Sequence, residues 1–174
     1  WVGYIKNTIA DVAPNFTTGR MIRDYQERYY HPQFERTLKM TSDNFKLTKE
    51  MVVWKNKISS KWSEIEVVGV DIADGITNKM KIGQHYPVSV HLDLKGLSCD
   101  EIGVELVVAE NENDRPARIV ETVEFVAESC EGSVCCYTHK LHPNHPGSFN
   151  YGFRIFPKNE NLAHRQDFKF IKWI

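Results

Sequence analysis

The sequence contains no long apolar run: no stretch approaches the roughly 18 consecutive apolar residues that a membrane-spanning helix requires. This absence excludes a helical membrane anchor. Apolar residues make up 41% of the 174 positions and charged residues 26%, which are values typical of globular domains. The composition therefore predicts a soluble chain without a membrane partner, large enough for one domain and a smaller appendage.

Cysteine is scarce, and its four positions are Cys99, Cys130, Cys135 and Cys136. This count excludes the dense disulfide framework of small secreted domains. It favours a reducing, cytoplasmic location. Cys130 and Cys135 are close enough in sequence to pair around a short loop, and the sequence leaves that pairing open.

Blocks of basic residues are also absent, although charge is unevenly distributed. Residues 1–62 carry 11 Lys and Arg against 6 Asp and Glu, net +5, whereas residues 63–174 carry 11 against 17, net −6. The basic residues of the first part, such as Arg20, Arg23 and Arg28, are spaced singly along a predicted helix surface. No nucleic-acid partner is therefore expected.

Helical periodicity dominates the first third of the chain. Residues 2–12 place Ile5, Ile9 and Val12 on one face of a helix that Pro14 is expected to end. Thr17 or Thr18 can cap a second helix, which His31-Pro32 should close. The apolar residues of this second helix are Met21, Ile22, Tyr25 and Tyr29. Together the two helices predict a small helical hairpin.

A third amphipathic helix is predicted from about Thr48. Its apolar stripe is formed by Met51, Trp54, Ile58 and Trp62. Two tryptophans on one stripe indicate a buried contact. The preceding stretch, residues 33–46, is polar and weakly periodic, which favours a linker with some helix.

From residue 64 onward the period of apolar residues changes to two. In "YPVSVHLDL", alternate residues from Tyr86 to Leu94 are apolar, which predicts a strand with Val88, Val90 and Leu92 facing a core. Further strand candidates are "IEVVGVDI", "IGVELVVAE", "RIVETVEFVA", "VCCYTHKL", "FNYGFRIF" and "DFKFIKW". Asp74-Gly75, residues 111–116 and "HPNHPG" are turn signals between strands. About seven strands without helical crossovers predict a mainly β chain, an antiparallel immunoglobulin-like β-sandwich preceded by a small amphipathic helical segment.

A family resemblance rests on the opening stretch "WVGYIKNTIADVAPNFTTGRMIRDYQERYY". It resembles the closing helices of α-glucan (glycogen, starch or maltodextrin) phosphorylases. The matching positions are Trp1, Ile9, Ala10, Phe16, Arg20, Tyr25, Tyr29 and Tyr30. The pair Trp54 and Trp62 and the tail "GSFNYGFRIFP...NLA...FIKW" resemble an extra β domain in a bacterial branch of that family, through Gly147, Tyr151, Arg154, Pro157 and Trp173.

The resemblance implies that the chain is the carboxy-terminal piece of a longer enzyme. Residues 1–32 would be the closing helices of the catalytic domain, residues 33–62 a linker and amphipathic helix, and residues 63–174 an accessory β-sandwich. The parent reaction would be phosphorolysis of α-1,4-glucan to glucose 1-phosphate with pyridoxal phosphate as cofactor. The expected partner is the upstream catalytic domain. In the isolated chain, residues 1–30 should pack on the Trp54/Trp62 stripe or on a second copy.

No catalytic, cofactor-binding or metal-binding residue is expected in the chain itself. The Lys motif that holds pyridoxal phosphate in the family is absent, and "TNKMK" at residues 77–81 has neither its order nor its flanking small residues. There is no Gly-rich phosphate loop and no nucleophile elbow.

Two polar clusters resemble sites in composition, but the spacing of each favours surface residues. Cys135, Cys136, His139, His142 and His145 lack the converging spacing of a zinc site, because alternate strand residues face opposite sides. Glu121, Glu124 and Glu128 favour a solvated strand edge rather than a hydrolytic carboxylate pair.

Exposed aromatics would support a second function, that of a glucan-binding module. Trp1, Trp54 and Trp62 lie on helix stripes and Trp173 ends a strand, so all four favour packing roles. Arg154 favours a strand-face ion pair. The leading hypothesis is therefore a structural or assembly role, with glucan binding as the alternative.

Overall fold

The computed structural model describes residues 1–72, 80–112, 115–144 and 146–174, and it divides into two compact units, Trp1–Val53 and Trp54–Ile174. Helical residues and strand residues are about equally numerous in the described part. The prediction of a mainly β chain is therefore wrong, and the fold is mixed α and β. The reason is that helix continues through most of the region where a linker was expected.

The first unit is entirely helical from residue 2 to residue 16. Helix α1 (Val2–Asn7) continues into a π-helical turn (Thr8–Val12) and a 3-10 turn (Ala13–Phe16) that has Pro14 in its first positions. Thr17 is extended, and its side chain accepts a hydrogen bond from the backbone N–H of Arg20 at 3.2 Å. Of the two predicted cap residues, Thr17 is the one that caps the helix, and α2 (Thr18–Tyr25) begins directly after it.

Helix does not stop at His31-Pro32, so that predicted end is wrong. A π-helical turn (Gln26–Tyr30) leads directly into α3 (His31–Lys61). Pro32, which has no backbone N–H to donate, is the second residue of α3, which directly follows this π-helical turn.

Helix α3 contains one interruption, and it lies within the expected linker. Residues 33–41 are helical, but Ser42 is extended and Asp43, Asn44 and Phe45 adopt left-handed conformations with φ of 50°, 52° and 60°. Asp and Asn tolerate this region better than most residues. The Thr48 hydroxyl donates to the Met40 carbonyl at 2.7 Å and so connects the two helical parts.

The second unit contains two antiparallel sheets of four strands each. Their orders are β1-β2-β6-β5 and β4-β3-β7-β8. The strands are β1 (Glu66–Ile72), β2 (Tyr86–Asp93), β3 (Ile102–Glu112), β4 (Arg115–Glu124), β5 (Val126–Glu131), β6 (Val134–Leu141), β7 (Phe149–Pro157) and β8 (Lys172–Trp173). Short 3-10 turns occupy Trp62–Glu64, Cys99–Glu101 and Arg165–Asp167.

The predicted alternation in β2 is confirmed. Val88, Val90 and Leu92 are buried, whereas Pro87 is exposed and Ser89 is only half-buried. Because side chains alternate between faces, this pattern fixes which side of the first sheet faces the core.

Phe125 connects the two sheets. It lies between β4 of one sheet and β5 of the other, and its ring centroid is 5.7 Å from that of His139 and 5.9 Å from that of Phe153. The candidate strand "RIVETVEFVA" is therefore two strands divided at this buried residue. Both sheets contribute to one apolar core around it.

The candidate strand "DFKFIKW" is mostly not a strand, since Arg165–Asp167 forms a 3-10 turn and pairing is restricted to Lys172–Trp173. Of the predicted turns, Asp74-Gly75 lies outside the described residues, as does part of 111–116. His145 within "HPNHPG" is also outside them.

Candidate functional site: the outer face of the second sheet

The central strand of the second sheet, β3, is buried on both faces. Val104 and Leu106 face the shared core, and Glu105 points the other way but is only 3% exposed. A buried carboxylate is unfavourable unless charged partners and hydrogen bonds compensate for its lost hydration. We therefore regard the residues around Glu105 as the candidate functional site.

Two arginines bind the two carboxylate oxygens of Glu105. Arg154 lies directly opposite Glu105 in the β3–β7 register, and its Nε donates to Oε1. Arg165 donates from a terminal guanidinium nitrogen to Oε2 at 2.6 Å. The strand-face ion pair predicted for Arg154 is thus confirmed, and Arg165 adds a second cation to it.

The turn that carries Arg165 is held by its own cap. The backbone N–H of Gln166 donates to His164 Nδ1 at 3.2 Å, and the His164 N–H donates to the Asp167 carboxylate at 3.2 Å. The Arg165 guanidinium lies 5.0 Å from the centre of the Phe156 ring, a cation–π geometry.

Gly103 permits the Phe156 ring, and the Arg165 guanidinium that packs on it, to lie close to the second sheet. The Phe156 ring lies directly over Gly103, and a Cβ built there would be 2.4 Å from the ring. No real side chain tolerates that distance, so glycine is required for the ring, and hence Arg165, to remain in place.

Trp173, on β8, lies at the exposed edge of the sheet face that carries Glu105 and Arg154. Its ring packs over Gly152, where a Cβ would lie 3.3 Å away, and the Arg154 guanidinium carbon is 5.4 Å from the ring centre. Even so, the residue is 58% exposed. One flat aromatic surface therefore remains open to solvent beside a cation.

The Trp54 and Trp62 stripe is covered within its own unit. Trp54 contacts Phe168 and Trp62 contacts Phe170, with ring centroids 5.3 Å and 5.4 Å apart. The predicted burial of this stripe is confirmed, but its partner is the chain's own carboxy-terminal segment.

The structure does not assemble the suggested Cys/His cluster. Cys135 and Cys130 form a disulfide, whereas Cys136 points to the opposite face of β6 and its sulfur lies 4.0 Å from His91 Nε2. The His139 ring contacts Phe125, and the His142 ring stacks on His85 at 4.6 Å.

The three glutamates lie on sheet edges, as predicted. Glu121 and Glu124 are exposed on the edge strand β4, and Glu128 is exposed on β5, the edge strand of the other sheet. Glu124 accepts a hydrogen bond from the Lys158 ammonium at 2.6 Å.

Two places within the described residues bear on whether the chain could hold pyridoxal phosphate, the exposed Lys81 and an apolar cleft in the first unit. Lys81, the described lysine of "TNKMK", is exposed, and residues 77–79 lie outside the described part. An apolar cleft is lined by Trp1, Tyr4, Ile5, Thr8 and Ile9, none of which has a side-chain amine for a Schiff base.

Comparison with known proteins identifies the family. The family model described as "Glycogen phosphorylase C-terminal domain" matches residues 62–174, which includes both sheets and the whole of the site around Glu105. The chain belongs to this family. The match begins at Trp62, the second tryptophan of the covered stripe.

Individual relatives extend the similarity over nearly the whole chain. The chain is 27% identical to the maltodextrin phosphorylase of Thermococcus litoralis over 99% of its own length, and 23% identical to the glycogen phosphorylase of Mycobacterium bovis over 94%. It spans about a fifth of the length of these curated relatives. No solved structure gives a significant match. None of the helices in the described ranges combines the length and hydropathy needed to cross a bilayer.

Sequence reasoning missed Glu105 and Arg165. Glu105 is a single acidic residue inside the apolar run "IGVELVVAE", and that isolation is the signal that could have found it. Arg165 is 60 positions from Glu105 in the sequence, and no pattern around Arg165 indicates that it binds a buried carboxylate.

Proposed function

We propose that the chain is the non-catalytic carboxy-terminal segment of an α-glucan phosphorylase and serves a structural or assembly role. In this proposal the parent enzyme cleaves α-1,4-glucan with inorganic phosphate, and its pyridoxal phosphate belongs to an upstream catalytic domain in the cytoplasm. The names of the relatives and the short share of their length that the chain spans support this assignment.

The proposed organisation follows the same boundaries as the resemblance. Residues 1–32 close the catalytic domain, residues 33–62 connect, and residues 63–174 form an accessory domain of immunoglobulin-like type. Two antiparallel four-stranded sheets around a common core support the comparison with an immunoglobulin-like domain.

The apolar surface of the first unit carries the docking proposal. Large apolar side chains there are extensively exposed, with Trp1 at 92%, Phe16 at 79% and Tyr4 at 78%. Extensive exposure of large apolar side chains is typical of a protein contact surface. The occupant we propose is the catalytic domain of the same polypeptide.

The test is association in trans with the phosphorylase domain encoded upstream of Trp1. We expect that separately purified domain to co-elute with the chain in size-exclusion chromatography. Phe16→Ala and Tyr29→Ala should each weaken association by about tenfold or more, as expected for truncated aromatic contact residues. Val126→Ala, an equally exposed apolar position on β5, is the matched control.

Absence of an upstream phosphorylase domain in the gene would overturn the assignment. Failure of the two purified parts to associate would overturn the docking role alone.

Glucan binding is the second candidate, and the open ring of Trp173 favours it. A planar aromatic face suits stacking against a pyranose ring. If this function is correct, maltoheptaose should bind the chain, and Trp173→Ala should abolish binding while Trp1→Ala leaves it unchanged. Isothermal titration calorimetry measures both, and equal binding by the wild-type chain and Trp173→Ala would exclude the site.

A further inference from the structure

We propose that Cys99, Cys130 and Cys135, when reduced, form a thiolate site for a divalent d10 cation, with zinc as the natural ligand. Their three sulfur atoms all lie within 4.8 Å of one another. Two sulfurs on one tetrahedral zinc ion lie about 3.8 Å apart, because each Zn–S bond is about 2.3 Å long. Small side-chain rotations therefore suffice to place three ligands around one ion.

The β5–β6 hairpin supplies two of the ligands. Cys130 and Cys135 are directly opposite each other in the register, and four residues separate them in sequence. Gly132 adopts a left-handed φ of 64° in the connecting turn. Cys-x4-Cys is within the spacing that zinc sites commonly use, because a tight turn lets both sulfurs point at one ion.

The third ligand, Cys99, is held by contacts from two elements. The Tyr137 hydroxyl donates to the Cys99 carbonyl at 3.1 Å, and the Ser98 N–H donates to the Glu101 carboxylate at 2.8 Å in a capping box. These contacts fix the backbone of Cys99 beside the hairpin.

The disulfide and the metal site are alternative states of the same atoms. A dithiol reductant transfers two electrons and two protons to the Cys130–Cys135 bond, yields two thiols and itself becomes a disulfide. Zinc binding then displaces the protons of the three thiols. A carboxylate oxygen of Asp100 lies 4.0 Å from the Cys99 sulfur and can supply the fourth ligand, with water as the alternative.

Cys136 provides an internal control. It is a free cysteine, but it points to the opposite face of β6 and its neighbours are His91 and the edge glutamate Glu128. It should therefore take no part in the site.

The experiment titrates Co²⁺ and then Zn²⁺ into the 174-residue chain, stripped with EDTA and reduced with a phosphine. We expect one Co²⁺ per chain, with a sulfur-to-cobalt charge-transfer band that Zn²⁺ abolishes. The chain with its disulfide intact and the variant Cys99→Ser should each bind about 100-fold more weakly or worse, since either change removes thiolate ligands. Cys136→Ser should bind like the wild-type chain.

A second measurement needs no variant and so does not depend on one folding. Zn²⁺ should protect Cys99 and Cys130 of the reduced wild-type chain from iodoacetamide, read by mass spectrometry, and leave the reactivity of Cys136 unchanged. The proposal is overturned if reduced wild-type chain shows no thiolate–cobalt band. It is equally overturned if Cys99→Ser binds as tightly as wild type, or if protection by zinc extends equally to Cys136.

Discussion

The two charged partners of Glu105 together carry more charge than Glu105 does. Two guanidinium groups share one carboxylate, so the group has a net charge of +1. The arrangement is tolerable because the two arginines differ in exposure: the Arg154 side chain is 15% exposed, whereas that of Arg165 is 42% exposed and keeps much of its hydration. The outer cation is thus stabilised by solvent as well as by Glu105.

Replacing Glu105 by alanine should destabilise the second unit severely. It would leave Arg154 mostly buried without its counter-charge, and breaking one side of a buried ion pair costs about 3 to 5 kcal/mol. Urea denaturation followed by tryptophan fluorescence measures the free energy of unfolding. Glu110→Ala is the control, because its pair with Arg118 is exposed and should be worth no more than about 1 kcal/mol. Equal losses in the two variants would show that the charge network contributes no special stability.

Single residues were predictable from sequence only where a local pattern determined them. The cap of α2 is predictable to within one residue, Thr17 or Thr18, because a cap depends on the residues directly before the helix. Arg154 was recognised as an ion-pair residue because it interrupts an apolar strand. Its partner Glu105 is 49 residues away, and no local pattern indicates which strand lies beside which.

At the level of elements, alternation predicted strands well and predicted their ends poorly. Strand β2 follows the expected pattern because one face is buried and the other is largely open. "DFKFIKW" has the same alternation, yet Phe168 and Phe170 contact tryptophans outside the strands rather than a neighbouring strand. Alternating apolar residues indicate that one face of a segment is buried, but they do not indicate which residues cover that face.

The packing of β3 gives a test at this level. Gly103→Ala would place a methyl group where the Phe156 ring now lies, so the ring must move away from the sheet. We expect a loss of about 1 to 3 kcal/mol, typical of overpacking. Gly69→Ala on β1 is the matched control, because nothing lies within 4 Å of its added Cβ, and it should change stability by no more than about 0.5 kcal/mol.

Thermal unfolding of both variants, measured by circular dichroism, distinguishes the explanations. If Gly103→Ala were as stable as Gly69→Ala, the close approach of Phe156 would not be a constraint on the fold.

Over the whole molecule, the two units differ in what they bury. The second unit encloses an apolar core between its sheets, with residues such as Val90, Val104 and Ile155 fully buried. Residues 1–30 contain no buried residue in any of their helical segments. Their helical periodicity was sufficient to predict the helices, but periodicity alone does not identify the surface against which a stripe packs.

Deleting residues 1–30 should leave the second unit folded and change how the chain associates. Its melting temperature should shift by no more than about 2 °C, since no part of its core is removed. The exposed apolar surface is expected to make the intact chain self-associate at high concentration, and the deletion should abolish this. Sedimentation equilibrium and scanning calorimetry measure the two properties. An unchanged mass distribution after the deletion would contradict a contact role for residues 1–30.

The carboxy-terminal segment has a consequence for synthesis on the ribosome. Glu105 acquires its second cation from residue 165, Trp54 and Trp62 are covered by residues 168 and 170, and the Lys172 ammonium donates to the Ile65 carbonyl across 107 positions. A nascent chain that ended before residue 165 would therefore keep strands β1 to β7 but expose two tryptophans and an incompletely neutralised buried acid. Such a product displays the features that chaperones and proteases recognise, so synthesis of residues 165–173 is the step that conceals them.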